Sequence, residues 1–178
     1  MKYILVLLLF YSGQAISQTK VYDITIQGTN GNSINISSFK GKKILVASIS
    51  PSNLKNGQLN FLDSLQLSHP DVYIIAIPAS DFEASNSTSD LVDSIKRVGI
   101  YHFIITNGGY VKKDKGINQY QLMKWLTNDT DNTHFNSDVN TDDQLYFISE
   151  SGILYAVLEK GAQLDLIDAL LKQQDIKQ

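Results

Sequence analysis

This chain cannot use thiol chemistry, because none of its 178 residues is a cysteine. Thiolate nucleophiles, disulfide exchange and the reduction of peroxides by a thiol are therefore excluded. Histidine is the next candidate for proton transfer or metal binding, but His69, His102 and His134 are far apart and lack metal-ligand spacing. We expect each histidine to have a solvent or loop role, and we expect no metal and no cofactor.

The acidic, asparagine-rich segment 129–143 offers oxygen ligands for a cation. It begins with Asp129 and Asp131 like a calcium loop, but His134 stands where such a loop needs glycine, and Asn140 where it needs a bidentate acid. We therefore interpret the segment as a solvated loop. An irregular oxygen site is the alternative, with Asp138, Asn140, Asp142 and Asp143 as its ligands.

Composition and charge favour one globular domain without a nucleic-acid partner. Hydrophobic residues make up 43% of the chain and charged residues 19%, which is typical of a folded rather than a disordered protein. The formal net charge is −3, and the basic residues do not form a stripe. We interpret the short run of Lys112, Lys113 and Lys115 as a solvated turn, with an anion-binding patch as the alternative.

The amino-terminal residues have the pattern of a signal peptide. A positive charge at Lys2 precedes an apolar run over residues 3–11, which is shorter than the roughly 20 residues that a membrane span requires. Small residues then occupy the two positions that signal peptidase reads, the second of them Ser17. We predict cleavage before Gln18, which leaves residues 18–178 as one secreted or periplasmic domain with no membrane span. An uncleaved anchor is the alternative.

Strands and helices alternate along the rest of the chain. Alternating or continuous apolar runs predict strands over residues 21–26, 33–36, 44–49, 72–77, 102–106, 145–149 and 154–159. Helical spacing of apolar residues predicts helices over residues 59–65, 87–98, 118–126 and 164–171. The polar residues 127–143 are predicted to form a long surface loop.

This alternation predicts an α/β fold with βαβ crossovers and helices on both faces of a sheet. A hairpin that precedes the last helix is the thioredoxin arrangement. The predicted architecture is therefore a thioredoxin-like three-layer α/β/α sandwich with an amino-terminal β-hairpin.

The order of several short segments resembles that of the glutathione peroxidases. Each segment alone is a weak signal, but their order and spacing together are more specific, and the similarity spans nearly all of residues 18–178. The resembling segments are residues 21–25, 31–34, 39–42, 74–78, 122–126 and 146–149. The resemblance implies a glutathione peroxidase-like topology.

The resemblance also implies where a peroxidase site would lie. In that family a cysteine or selenocysteine of low pKa lies at a strand-to-helix junction, surrounded by a glutamine, a tryptophan and an asparagine. The positions that align with these four residues are Asn53, Asp81, Thr141 and Asp142, in that order. None keeps the family residue, so no catalytic residue is predicted, and the charges of Asp81 and Asp142 oppose an anionic nucleophile.

Three hypotheses follow for the function. The first is an exported, catalytically inactive glutathione peroxidase-like protein that serves as a binding or interaction module for an unknown protein or small-molecule partner. The second is a non-redox enzyme with a rewritten carboxylate or metal site at Asp81 and Asp142, since paired carboxylates can divide acid and base roles. The third is a structural component of an envelope complex, which an extended exposed apolar patch would favour.

Overall fold

The computed structural model describes residues 20–50, 57–82, 93 and 101–174. The first two strands of this part form a β-hairpin. Strand β1 (Thr25–Gln27) pairs antiparallel with β2 (Ser33–Asn35). The turn between them places Gly31 at φ +79°, a left-handed conformation that glycine adopts without steric cost. The hairpin confirms the expectation from the alternating sequence.

The centre of the fold is a five-stranded mixed sheet. Its strands, in chain order, are β3 (Lys43–Ile49), β4 (Val72–Pro78), β5 (Ile104–Ile105), β6 (Leu145–Ile148) and β7 (Leu154–Leu158). Their order in the sheet is β5-β4-β3-β6-β7. β3, β4 and β5 run parallel, whereas β6 is antiparallel to β3 and β7 is antiparallel to β6. The carboxyl ends of β3 and β4 therefore share one edge of the sheet with the amino end of β6.

Helices and short 3₁₀ turns connect the strands. The helices are α1 (Gln58–Ser68) before β4, α2 (Gln121–Thr127) and α3 (Asp129–Asn132) before β6, and α4 (Leu164–Lys172) after β7. The 3₁₀ turns are Val21–Asp23, Ile36–Phe39, Ser80–Phe82 and Lys113–Asn118.

An apolar core lies on each face of the sheet. All seven residues of β3 are buried, and its side chains alternate between the two faces. Val46 belongs to the core that contains Trp125 of α2, whereas Leu45 belongs to the core that contains Leu62 of α1 and Ile167 of α4. This confirms the three-layer α/β class, because a strand buried on both faces needs helices or turns on both sides.

The buried ammonium group of Lys43 fixes the end of α4 to the start of β3. Only 8% of Lys43 is exposed, and its Nζ donates hydrogen bonds to the carbonyl groups of Leu171, at 3.0 Å, and of Gln173. It also lies 3.5 Å from a carboxylate oxygen of Glu150. A cation at the carboxyl end of a helix is favoured by the helix dipole and by the free carbonyl groups there.

The amino-terminal hairpin covers one edge of the central sheet. The backbone N–H of Thr29 donates to the carbonyl of Ile105 at 3.1 Å, and the N–H of Asn107 donates to the carbonyl of Gln27 at 2.9 Å. The outer side of β5 is therefore paired. At the opposite edge, β7 pairs only with β6 among the strands that the structure describes.

The first predicted strand is shorter than the sequence pattern indicates. Residues 21–23 form a 3₁₀ turn, closed by hydrogen bonds from Asp23 N–H to the Lys20 carbonyl and from Ile24 N–H to the Val21 carbonyl. The turn buries Val21, so a β-branched residue here contributes to the core without belonging to a strand.

The predicted surface loop over residues 127–143 contains an internal polar centre. Asn132 is 3% exposed, and its Nδ2 donates to the carbonyl groups of Trp125, Leu126 and Phe135. Its Oδ1 accepts from the backbone N–H groups of His134 and Phe135. One amide therefore organises the turn after α3, which differs from the solvated loop that composition predicts.

Two predicted segments lie outside the described residues, namely the signal peptide over residues 1–17 and the helix over residues 87–98. Where the structure does describe the chain, no helix has both the length and the apolar character that a bilayer crossing demands.

Candidate functional site

Three segments meet at the sheet edge where the family's reactive group would lie. The backbone N–H of Ala79, just after β4, donates to the carbonyl of Ile49 at 2.7 Å. On the other side of β3, the N–H of Asp143 donates to the carbonyl of Ser48 at 3.0 Å. The segments that carry Asp81 and Asp142 therefore flank the end of β3. The predicted nucleophile position, Asn53, lies outside the described residues.

Asp81 binds the backbone of the segment that follows β5. Its side chain is 1% exposed, and its Oδ2 accepts hydrogen bonds from the N–H of Val111 and, at 3.3 Å, from the N–H of Lys112. The ammonium of Lys115 lies 3.9 Å from Oδ1. Asp81 therefore holds residues 110–112 against the end of β4.

Asp142 belongs to a second network, which joins the ends of β3 and β7. Ser50 Oγ donates to Asp142 Oδ2 at 3.1 Å, and Lys160 Nζ lies 2.9 Å from Oδ1. Lys160 also lies 3.7 Å from Asp143 Oδ2. The hydrogen bond to Asp142 is the main cause that raises the pKa of Lys160, against a smaller opposing effect of burial. Lys160 therefore stays protonated at neutral pH and cannot act as a general base.

The two predicted carboxylates thus have contacts in different directions. Asp81 contacts the segment after β5, whereas Asp142 contacts the end of β3 and the residue after β7. An acid–base pair of carboxylates needs the two groups to interact strongly enough to separate their pKa values. The carboxylate enzyme remains a hypothesis, and both of its groups already have hydrogen-bond donors of their own.

Three buried hydroxyl groups are a feature of the fold that the sequence did not reveal. The hydroxyl oxygens of Ser48, Thr141 and Tyr146 are buried and have no hydrogen-bond partner among the described residues. Burial raises the pKa of the Tyr146 hydroxyl, with a further contribution from the charge of Asp138. Ser48 and Tyr146 lie on paired strands, and nothing in their residue types distinguishes these hydroxyl groups from others in the sequence.

A cavity of about 260 Å³ opens beside this edge, at the amino end of α1. Its apolar side is formed by Phe61 of α1, Leu145 of β6 and Ile167 of α4, and its polar side includes the carboxylates of Asp143 and Glu159. These residues come from four separate parts of the chain. No local motif could have identified the cavity.

The histidines lie in loops, as predicted, and two of them join α1 to other parts of the fold. His69 Nε2 contacts Asp168 Oδ1 at 2.9 Å, and this hydrogen bond is the main cause that lowers the pKa of Asp168. The backbone N–H of His102 donates to Asp63 at 2.7 Å, which lowers the pKa of Asp63. His134 contacts Thr133 instead. Among the described residues, no three histidine, aspartate or glutamate side chains are grouped so that they could hold a metal ion.

No protein-family model and no curated protein matches the sequence. Solved structures do match. A crystal structure of Trgpx in apo form is 16% identical, with a TM-score of 0.62, and the match covers 86% of this chain and 93% of that chain. T. cruzi GPX1 is 14% identical, with a TM-score of 0.62 and coverage of 86% and 94%.

A thioredoxin also matches. The pneumococcal exposed lipoprotein thioredoxin Etrx1 from Streptococcus pneumoniae strain TIGR4 is 17% identical, with a TM-score of 0.58, and the match covers 84% of this chain and 97% of that chain. At such identities the likeness establishes the fold. The chain has the predicted thioredoxin-like α/β architecture, with the amino-terminal hairpin and glutathione peroxidase-like topology.

Proposed function

We propose that this protein is an exported, catalytically inactive relative of the glutathione peroxidases and thioredoxins that acts as a binding or interaction module. One observation carries the proposal: the chain has the fold of thiol-dependent redox proteins and contains no cysteine. Thiol–disulfide exchange and thiol peroxidase turnover both require a thiolate, or its selenium counterpart, as the attacking atom.

The contacts at the old catalytic edge support a structural role for the substituted residues. Asp81 holds residues 110–112 through their backbone N–H groups, and the contacts of Asp142 with Ser50 and Lys160 hold the ends of β3 and β7 together. These residues brace the edge of the sheet.

The cavity at the amino end of α1 supports a binding role. It lies beside Asp143 at the same edge, and Phe61 forms part of its side while remaining 37% exposed. An exposed aromatic residue at the mouth of a concave site is a usual anchor for a partner. Because its charged lining residues are Asp143 and Glu159, we expect a small apolar group that carries a cation or hydrogen-bond donors to bind there.

A peroxidase assay on treated protein tests the inactivity. The purified protein is first incubated with a thiol-alkylating reagent. The reagent inactivates contaminating thiol enzymes, but this chain offers it no thiol, because it contains no cysteine. Consumption of hydrogen peroxide with glutathione, or with thioredoxin and its reductase, should equal the buffer rate. Turnover that survives alkylation and scales with protein concentration would refute the proposal.

Binding at the cavity can be tested with benzylamine and its neutral counterpart benzyl alcohol. We expect benzylamine to shift the amide NMR signals of α1 and of residues 143–145 and 159–162, and benzyl alcohol to do so more weakly. Phe61→Ser should abolish the shifts, whereas Leu67→Ser should not, since Leu67 is an exposed residue of the same helix outside the cavity. Equal shifts in both variants would contradict this binding site.

Export is supported by the signal-peptide pattern over residues 1–17 and by the name of one structural neighbour, an exposed lipoprotein. Expression of the full chain in a bacterium, followed by mass spectrometry of the mature protein, should give an amino terminus at Gln18 in a periplasmic or secreted fraction. An intact residue 1 in the cytoplasmic fraction would contradict export.

A further inference from the structure

A second cleft, of about 420 Å³, lies at the opposite end of the sheet from the edge described above. It includes Gly152, in the turn between β6 and β7, and this turn lies at the start of β3 because β6 is antiparallel to β3. Its size is in the range of small-molecule sites. Trp125 lines the cleft and is 4% exposed.

One side of the cleft is formed by Tyr22, whose position is fixed. The Tyr22 hydroxyl donates to the carbonyl of Glu150 at 2.9 Å, across 128 residues of sequence. Its ring lies so close to Gly152 that a Cβ at that position would approach Tyr22 Cε2 to 2.7 Å. Gly152 also has φ +86°, so glycine is required there for two reasons. The aromatic side of the cleft is therefore preformed.

The facing side is formed by residues 131–134 and is also fixed. The five hydrogen bonds of Asn132 hold this turn. Thr133 has φ +67°, which is a rare conformation for a β-branched residue. This strained residue places the imidazole of His134 at the cleft, where it is among the lining side chains. Strain of this kind is concentrated at functional sites.

The charge of the lining favours an anion. Lys20 and Lys40 are both exposed at the cleft, and Asp131 is the acidic residue of the lining. Lys40 Nζ lies 5.9 Å from the centre of the Tyr22 ring. Among the described residues, the ion pairs of the fold involve other lysines, such as Lys42 and Lys160. Two exposed lysines therefore line the cleft, and the ammonium group of Lys40 lies near its aromatic side.

We propose that this cleft binds a small organic anion with a flat, ring-sized apolar body. The negative group lies between the ammonium groups of Lys20 and Lys40, and the apolar body lies against Tyr22. The shared chemistry is a carboxylate or a phosphate on a ring. This site is separate from the old redox edge, so it stands or falls independently of the proposed function.

Trp125 provides a specific readout, because it is the only tryptophan in the chain and it lines this cleft. Benzoate and phenyl phosphate are titrated against the full-length protein while Trp125 fluorescence is recorded, with benzyl alcohol as the neutral control. We expect a saturable change with one or both anions, and the stronger of the two identifies the preferred anionic group. No saturation with either anion up to about 10 mM, or an equal response to benzyl alcohol, would overturn the proposal.

Lysine variants separate binding in the cleft from general charge effects. Lys20→Gln and Lys40→Gln should each weaken binding roughly fivefold, as expected for one solvent-exposed charge pair at contact distance. Lys112→Gln is the matched control, because Lys112 Nζ also lies near an aromatic ring, 4.8 Å from the centre of the Phe82 ring, outside this cleft. Equal affinity in all three variants would overturn the assignment of the site.

Discussion

At the scale of single residues, Asp81 shows how a family position can acquire a structural role. At the position that the resemblance aligns with the peroxidase glutamine, this chain has a carboxylate that accepts hydrogen bonds from the N–H groups of Val111 and Lys112 and has a lysine nearby. The carboxylate is nearly buried, and two backbone N–H donors on Oδ2 and the ammonium of Lys115, 3.9 Å from Oδ1, offset the loss of solvent. The Asp81 side chain therefore positions a neighbouring segment.

Removal of this carboxylate should destabilise the fold. Asp81→Ala leaves two backbone N–H groups without their acceptor, which typically costs about 1–3 kcal/mol for each buried group. We expect a lower urea midpoint with an unchanged slope. Asp114→Ala is the control, because Asp114 lies in the same segment with a largely exposed side chain. Equal midpoints for both variants would show that Asp81 is not the group that holds this segment.

A cysteine at position 53 alone should not restore peroxidase activity. The resemblance places the reactive atom at Asn53, but the glutamine, tryptophan and asparagine that support it are replaced by Asp81, Thr141 and Asp142. The resemblance implies that a thiolate at this position would lie beside two aspartates, which would raise its pKa and make it a poorer nucleophile at neutral pH. The Asn53→Cys variant is assayed for peroxide turnover with glutathione. Substantial turnover would show that the supporting residues have been assigned to the wrong positions.

At the scale of elements, the sequence predicts what burial imposes and misses what polar contacts impose. The apolar runs of β3 and β4 identify these strands, because a strand covered on both faces needs apolar residues almost throughout. Position 132 carries no such signal, since an asparagine in an asparagine-rich segment predicts solvent exposure. The buried role of Asn132 follows only from the carbonyl and N–H groups that the fold brings around it.

In the candidate site, too, the polar contacts were harder to predict than the positions of the elements. The resemblance to the glutathione peroxidases implied that Asp81 and Asp142 lie near one end of the sheet, and the segments that carry them do flank the end of β3. The partners of these residues, Lys115 and Lys160, could not be predicted, since they follow the aspartates by different and irregular separations. Long-range contacts between loops leave no periodic pattern in a sequence.

Asn132 should therefore be among the most sensitive polar positions of the chain. Asn132→Ala removes five hydrogen bonds and leaves buried carbonyl and N–H groups unpaired, so we expect a loss of about 2–4 kcal/mol in the free energy of unfolding. Asn140→Ala is the matched control, because Asn140 is exposed and, among the described residues, its side chain hydrogen-bonds to Glu159 alone, at 3.4 Å. Chemical denaturation measures both variants, and similar losses would contradict the internal role of Asn132.

At the scale of the whole molecule, the contact between His69 and Asp168 ties the end of α1 to α4 and makes stability depend on pH. The folded pKa of Asp168 lies below its usual value of 3.8. Its contribution is therefore complete above pH 3.8 and is lost as the pH falls through the lowered folded pKa. Acid should weaken the packing of α4 on α1.

Comparison of the wild type with Asp168→Asn between pH 2 and pH 5 tests this dependence. The difference in unfolding midpoint should be largest at pH 5 and should shrink as the pH falls below about 3.8. Asp71→Asn is the control, because Asp71 is 90% exposed and its ion pair with Lys42 should contribute little at any pH. A difference that grows toward low pH would reverse the sign and refute the assignment.

The covered outer side of β5 has a consequence for self-association. A sheet with two open edges can add copies at both ends without limit, which is the geometry of a fibril. Here the hairpin pairs with the outer side of β5, and among the described strands β7 is the open edge of the central sheet. A second copy can therefore pair with the central sheet through β7, whereas pairing at β5 would first require the hairpin to detach.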